Sequence, residues 1–200
     1  MLLSIQKNEC IRSYVERALY VDPYGKNSSF LRVISNSKIF AQDAILLSKI
    51  LGWPGCHGFN RLIHFHTEYA FDFMVKSARD FAYSENFYVS KRSVEPHKGY
   101  AYCPVCVLED FEKLGFSYWR RIGGNVGVCA SHNVILYSNC PYCGKEFSGD
   151  GHNLNVLWKT CKGRALRDAP AVANEDAQML SLARFYQSLY DFKLLPLTEN

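Results

Sequence analysis

Cys103-Pro104-Val105-Cys106 is followed, after an interval of 22 residues, by Cys129-Ala130-Ser131-His132. Soon after come Cys140-Pro141-Tyr142-Cys143-Gly144 and, further on, Cys161. Zinc takes four tetrahedral ligands from thiolate and imidazole. Two residues between paired donors let both converge on one ion from a tight turn, and two such pairs in order predict a site built from Cys103, Cys106, Cys129 and His132. Two unrelated buried pairs are the bland competitor. A redox Cys-x-x-Cys would want a strand-to-helix, thioredoxin-like setting, which the surrounding pattern lacks.

The second group repeats the Cys-Pro-x-Cys knuckle. Gly144 suits the left-handed turn that such knuckles use. Cys140, Cys143 and Cys161 are three ligands of a second site. His152 is the nearest candidate for the fourth, with Asp168 or a water as alternatives. Both sites read as closed, and closed zinc sites are structural. No Gly-rich phosphate loop and no Gly-x-Ser-x-Gly accompanies them, so no enzyme is expected. His64 and His66 stand two apart on a predicted helix and face different ways. His66 reads as a core residue, His57 and His97 as loop residues, and Cys10 and Cys56 as small buried hydrophobes.

Working outward, the chain has 200 residues, 48% hydrophobic and 21% charged, which suffices for one compact domain or two small ones. The net charge of +4 and pI near 8.6 permit nucleic-acid binding without demanding it. The N-terminus does not read as a signal peptide, and no apolar run approaches a membrane span, so a cytoplasmic protein is expected. Eight cysteines in that setting point to metal rather than disulfides.

Residues before the knuckles read as helical. Ile11, Tyr14, Val15, Ala18 and Leu19 share one helix face, with Asn8 as N-cap and Asp22-Pro23-Tyr24-Gly25 as the stop. Further helices are expected over Ser28 to Ile34, Gln42 to Leu51 and Phe59 to Val75. The last two, separated by Gly52-Trp53-Pro54-Gly55, form a helix-turn-helix-like pair. Phe87-Tyr88-Val89 is strand-like, and Ser90 to Lys98 reads as a linker. A final helix is expected around Ala177 to Leu189. The fold class is thus mainly α with small zinc-ribbon or knuckle elements. Residues 1–95 form a helical, helix-turn-helix-like domain, 96–170 a tandem zinc-finger domain, and 171–200 a C-terminal helix.

Basic residues gather near the knuckles. Lys91, Arg92, Arg120, Arg121, Lys159, Lys162 and Arg164 are candidate phosphate contacts, against the alternative of dispersed, solvated charge.

Cys103-Pro104-Val105-Cys106, the aromatic Tyr118-Trp119-Arg120, Cys129-Ala130-Ser131-His132-Asn133-Val134 and Cys140-Pro141-Tyr142-Cys143-Gly144-Lys145 together resemble the TniQ family of transposon target-selection proteins, TnsD-like members included. Asn8 to Arg17 resembles the helix that opens them. The resemblance spans most of the chain, and its specific part is residues 103–144. It implies a non-catalytic adaptor, with two zinc ions on the ligands above, that links target DNA or a guide-RNA effector complex to a TnsC-like AAA+ transposition regulator. At Cys161 related sequences commonly offer another cysteine pair, where this chain continues Lys162-Gly163-Arg164. Longer relatives carry a further C-terminal region for target recognition or dimerisation, so the resemblance implies a compact form or a fragment, and allows a homodimer. The alternative reading is a zinc-dependent, sequence-specific transcriptional regulator.

Overall fold

The computed structural model describes residues 3–68, 94, 99–122, 126–148 and 151–191. It is mainly helical and divides into two compact units, residues 1–95 with 189–200, and residues 96–188. Lys91, Arg92, His97 and the strand-like Phe87 to Val89 lie outside the described residues.

In the first unit, α1 (Ile11–Val21), α2 (Ser28–Ser35), α3 (Ala41–Ile50) and α4 (Gly55–His66) enclose a core of Ile11, Tyr14, Val15, Leu31, Ile34, Leu47, Phe59, Leu62 and Ile63. Within the stretch read as a linker, Val94 joins this core, and its N–H donates to the Ile39 carbonyl at 2.8 Å. Asn8 is not the cap of α1. Cys10 holds that position, while Asn8 sits in a turn at φ 60°.

The reason is Glu9, which turns inward. Its carboxylate receives Arg17 Nε at 3.0 Å and Arg17 Nη2 at 2.8 Å, Ser13 Oγ at 3.0 Å and the Gln6 N–H at 2.8 Å. The Glu9 carbonyl accepts from His66 Nδ1 at 2.8 Å, so His66 is a satisfied core histidine. Arg12 caps the far end of α2, donating to the carbonyls of Ile34 and Ser35 at 2.7 Å each.

The α3–α4 turn closes as a Schellman motif. Gly52 at φ 77° donates to the Lys49 carbonyl, and Trp53 N–H to that of Ser48. The α4 helix begins at Gly55, earlier than periodicity places it, so His57 lies in its first turn rather than in a loop. Gly58 faces the turn, where an added Cβ would come within 2.1 Å of the Trp53 carbonyl oxygen.

The second unit opens with α5 (Pro104–Leu114), a helix that the reading of this stretch as a knuckle did not anticipate. Proline at its first position and Gly115 at φ 77° past its end are the expected stop signals at both ends. The core is aromatic. Trp119 is fully buried, 4.9 Å from Phe147 and 6.0 Å from Tyr102 between ring centroids. Its Nε1 donates to the Leu154 carbonyl at 2.9 Å. A two-residue hairpin, β1 (Thr160–Cys161) and β2 (Arg164–Ala165), turns through Lys162 and Gly163, both at positive φ, as a type I′ turn requires.

This unit runs past residue 170. Ile135 N–H donates to the Val172 carbonyl, and Asn174 exchanges hydrogen bonds with Asn133. Asp176 then caps α6 (Ala177–Asp191) through the Gln178 and Met179 N–H groups. No helix among the described residues is long and apolar enough to cross a membrane.

The Glu9–Arg17 pair has side-chain exposures of 0% and 4%, so removing one partner strands a buried charge. Glu9→Ala is expected to cost about 3–5 kcal/mol. Urea unfolding monitored by circular dichroism checks this, with Arg17→Lys, which keeps the charge but not the fork, as the milder variant.

Candidate metal centres

The first centre is built from two turns. Cys103 is the N-cap of α5 and accepts the Cys106 N–H at 3.4 Å. Its sulfur therefore faces the positive end of a helix. On the other turn, Asn133 at φ 52° returns its N–H to the Cys129 carbonyl, and Cys129 N–H donates to Val134. That bend brings His132 over the sulfurs.

The distances decide what the group can hold. His132 Nδ1 lies 3.5 Å from Cys103 Sγ, 3.3 Å from Cys106 Sγ and 3.5 Å from Cys129 Sγ, and the Cys106 and Cys129 sulfurs are 3.8 Å apart. A zinc tetrahedron with bonds of about 2.3 Å to sulfur and about 2.0 Å to nitrogen has edges of about 3.8 Å and about 3.5 Å. The four donors thus lie at the corners of a site of the right size for that ion.

Glu109 completes the arrangement, and the sequence reading missed it. Its Oε1 accepts from His132 Nε2 at 3.1 Å. That fixes the proton on Nε2 and leaves the Nδ1 lone pair toward the sulfurs. Lys113, one helical turn on, holds the other oxygen at 3.2 Å. The hydrogen bonds from Lys113 and then His132 keep the Glu109 carboxyl below its ordinary range. Had α5 been recognised, Glu109 at three residues past Cys106 would have stood on the ligand face.

In the second centre one donor atom each from Cys140, Cys143, His152 and Cys161 lies within 4.8 Å of the others. Gly144 at φ 76° closes the knuckle, donating to the Cys140 carbonyl at 2.8 Å, while Cys140 N–H donates to Lys145. Cys161 comes from β1. His152 N–H donates to the Glu146 carbonyl, and its ring stacks on Phe147. Among the described residues, the buried Nε2 of His152 has no hydrogen-bond partner, which suits an imidazole beside three sulfurs. Burial, and then the charge of Lys145, lower its pKa and favour the neutral ring that a metal needs. Asp168, the alternative fourth donor, is not among the group.

Crowded thiols cannot all ionise without a cation. In the first centre hydrogen bonds from Cys103 and Cys106 pull the Cys129 thiol down, aided by the Ser131 and His132 N–H groups. Cys106 is pushed up by its hydrogen bonds with Cys103 and Cys129 and then by burial. Cys103 is lowered by its bond to Cys106, but Cys129 and burial outweigh this and bring it to about 11. Cys161 is pushed up to about 11 by burial and then by Cys143 and Cys140. Cys143 is lowered, first by the Lys145 N–H.

The basic candidates separate. Arg120 is forked onto Asp110 by two hydrogen bonds of 2.7 Å and lies 4.3 Å over the Tyr118 ring. Burial works against its charge, and the Asp110 hydrogen bonds outweigh it, raising its pKa. Arg121 is buried. Arg120 is thus held by Asp110 and Tyr118. Lys159, Lys162 and Arg164 are exposed. Cys10 is buried and Cys56 half-buried, apart from either cluster.

Against this geometry, comparison with protein-family models gives no match, and comparison with curated proteins gives none.

Two outcomes follow. Glu109→Ala is expected to weaken metal binding at the first centre about 10- to 100-fold, measured by chelator competition. Because Cys103 and Cys161 hold protons at neutral pH when metal-free, metal binding must expel them. Affinity therefore rises with pH and falls as acid is added, and the heat of zinc binding should depend on the ionisation enthalpy of the buffer.

Proposed function

We propose that both clusters hold structural zinc, and that the chain is a TniQ-like adaptor which places transposition machinery at a target. One observation carries the first half: two Cys₃His donor sets, the first at the edge lengths of a zinc tetrahedron. Four protein donors at each centre leave no open position for a substrate or an activated water. The reading is therefore non-catalytic. The ions contribute folding free energy and fix a surface.

The second half rests on the order of the motifs. Cys-x-x-Cys, an aromatic interval, Cys-x-x-His and a second Cys-x-x-Cys form the tandem pattern on which the resemblance stands, and they lie in one compact unit. The partners that fit are a AAA+ transposition regulator and target DNA, met directly or through a guide complex. The regulator reading would have α4 read a DNA groove. Half of that helix is buried, and no buried residue precedes Phe59 in it. Its exposed side chains are His57 and Arg61, and Arg61 already lies 4.5 Å over Trp53. A recognition helix needs a broader polar face than this.

The test is zinc content per chain, with binding to a purified TnsC-like AAA+ regulator, for the parent and a Cys103→Ser/Cys106→Ser double variant. Two ions per parent chain, regulator binding, and loss of both an ion and the binding in the variant are expected. A parent that carries two ions and ignores the regulator would leave the zinc reading standing and remove the adaptor.

A further inference from the structure

Around the second centre three exposed cations are placed by the cluster residues themselves, and they outnumber the exposed carboxylates beside them, Glu146 and Asp168. Lys145 stands two residues after Cys143, on the strand-like exit from the knuckle, and its carbonyl accepts the Cys140 N–H at 2.8 Å. Lys162 directly follows Cys161 at the tip of the hairpin, and Arg164 is the cross-strand partner of Cys161. All three side chains are exposed, and none is in an ion pair with a described carboxylate. Arg167, next along, is the contrasting case, with Asp168 at 3.8 Å.

Arg164 is also held in position. Its guanidinium lies 5.6 Å over the ring of Tyr142, the residue between the two knuckle cysteines. A guanidinium drawn to a ring face by its charge alone spends none of its N–H donors there, so they stay available to fork onto a phosphate. Three thiolates around a dication leave the centre with a single negative charge, so three cations exceed what the cluster needs for its own neutrality.

From this geometry we infer that the knuckle and hairpin of the second centre form a binding face for the phosphate backbone of duplex DNA, with Lys145, Lys162 and Arg164 as its contacts. The duplex is preferred to a single strand because the aromatic ring on this face is not offered for base stacking. Tyr142 donates its hydroxyl to the Ala165 carbonyl at 2.9 Å, and Arg164 covers its ring. Single-strand binders present open aromatic platforms, whereas this face presents charge alone. Charge alone selects no sequence, so the face sets affinity and leaves the choice of site to another element. The inference deepens the adaptor reading and rests on it in one respect, that the second cluster is filled.

The experiment measures binding of the zinc-loaded chain to a random-sequence duplex by fluorescence anisotropy from 50 to 200 mM salt. The parent is compared with Lys145→Gln/Lys162→Gln and with Lys145→Arg/Lys162→Arg, and zinc per chain is measured on each sample. The expected result is that the Gln variant keeps its zinc, binds more weakly, and has a log–log salt slope shallower by about 2, while the Arg variant behaves as the parent. Unchanged affinity and slope in the Gln variant would overturn the inference, as would preference for single-stranded over duplex DNA. Loss of zinc from the Gln variant alone would assign the two lysines to the charge balance of the cluster and also overturn it. The regulator is absent from this assay, so failure here is distinct from failure of the adaptor reading.

Discussion

The second unit depends on the meeting of His132 with three sulfurs drawn from two separate turns. Before that meeting, the start of α5 and the Cys129–His132 turn are pieces of chain separated by 22 residues. Once it is made, Cys103 serves as cluster member and helix cap at the same time, so one sulfur ties the donor cluster to the direction of α5. The direction of α5 in turn decides where Glu109 stands. Glu109 then decides which nitrogen of His132 faces inward. Each step is a short-range polar contact, and each depends on the one before.

The two centres share a wall. Tyr102 precedes the ligand Cys103, and Phe147 carries the His152 ring on its face. Between them lies Trp119, within ring-contact distance of both. Tyr102 reaches further, its hydroxyl donating to the Leu166 carbonyl at 3.3 Å, just past the hairpin that supplies Cys161. Aromatic rings supply much buried area for few residues, which suits a unit whose sheet content is one short hairpin and a handful of isolated bridges.

The metal donors were legible because their constraint is local. A two-residue gap between donors either allows convergence or does not, and Cys103, Cys106, Cys129 and His132 carry that gap in their spacing. His152 lacks such a mark. What picks it out is a backbone bond to Glu146 and a ring stacked on Phe147, neither of which spacing can express. Glu109 was hidden behind the unrecognised helix. Arg120 reads as surface charge until Asp110, ten residues earlier, is seen to face it. The first three helices of the first unit followed their periodicity, while α4 began at Gly55, ahead of the apolar stripe that starts at Phe59. Asn8 did not follow its capping preference, because the burial of Glu9 against Arg17 outweighs a cap worth about 1 kcal/mol.

The absence of one methyl group at Gly58 bears on the α3–α4 pair. The backbone of α4 lies against the Trp53 carbonyl at a separation that no larger residue would allow. The linker on the other side is already closed by the paired carbonyl bonds of Gly52 and Trp53. The joint is therefore a corner and not a hinge. Whatever grips these two helices meets them at an angle set in advance by contact, and loses no ordering entropy in fixing it.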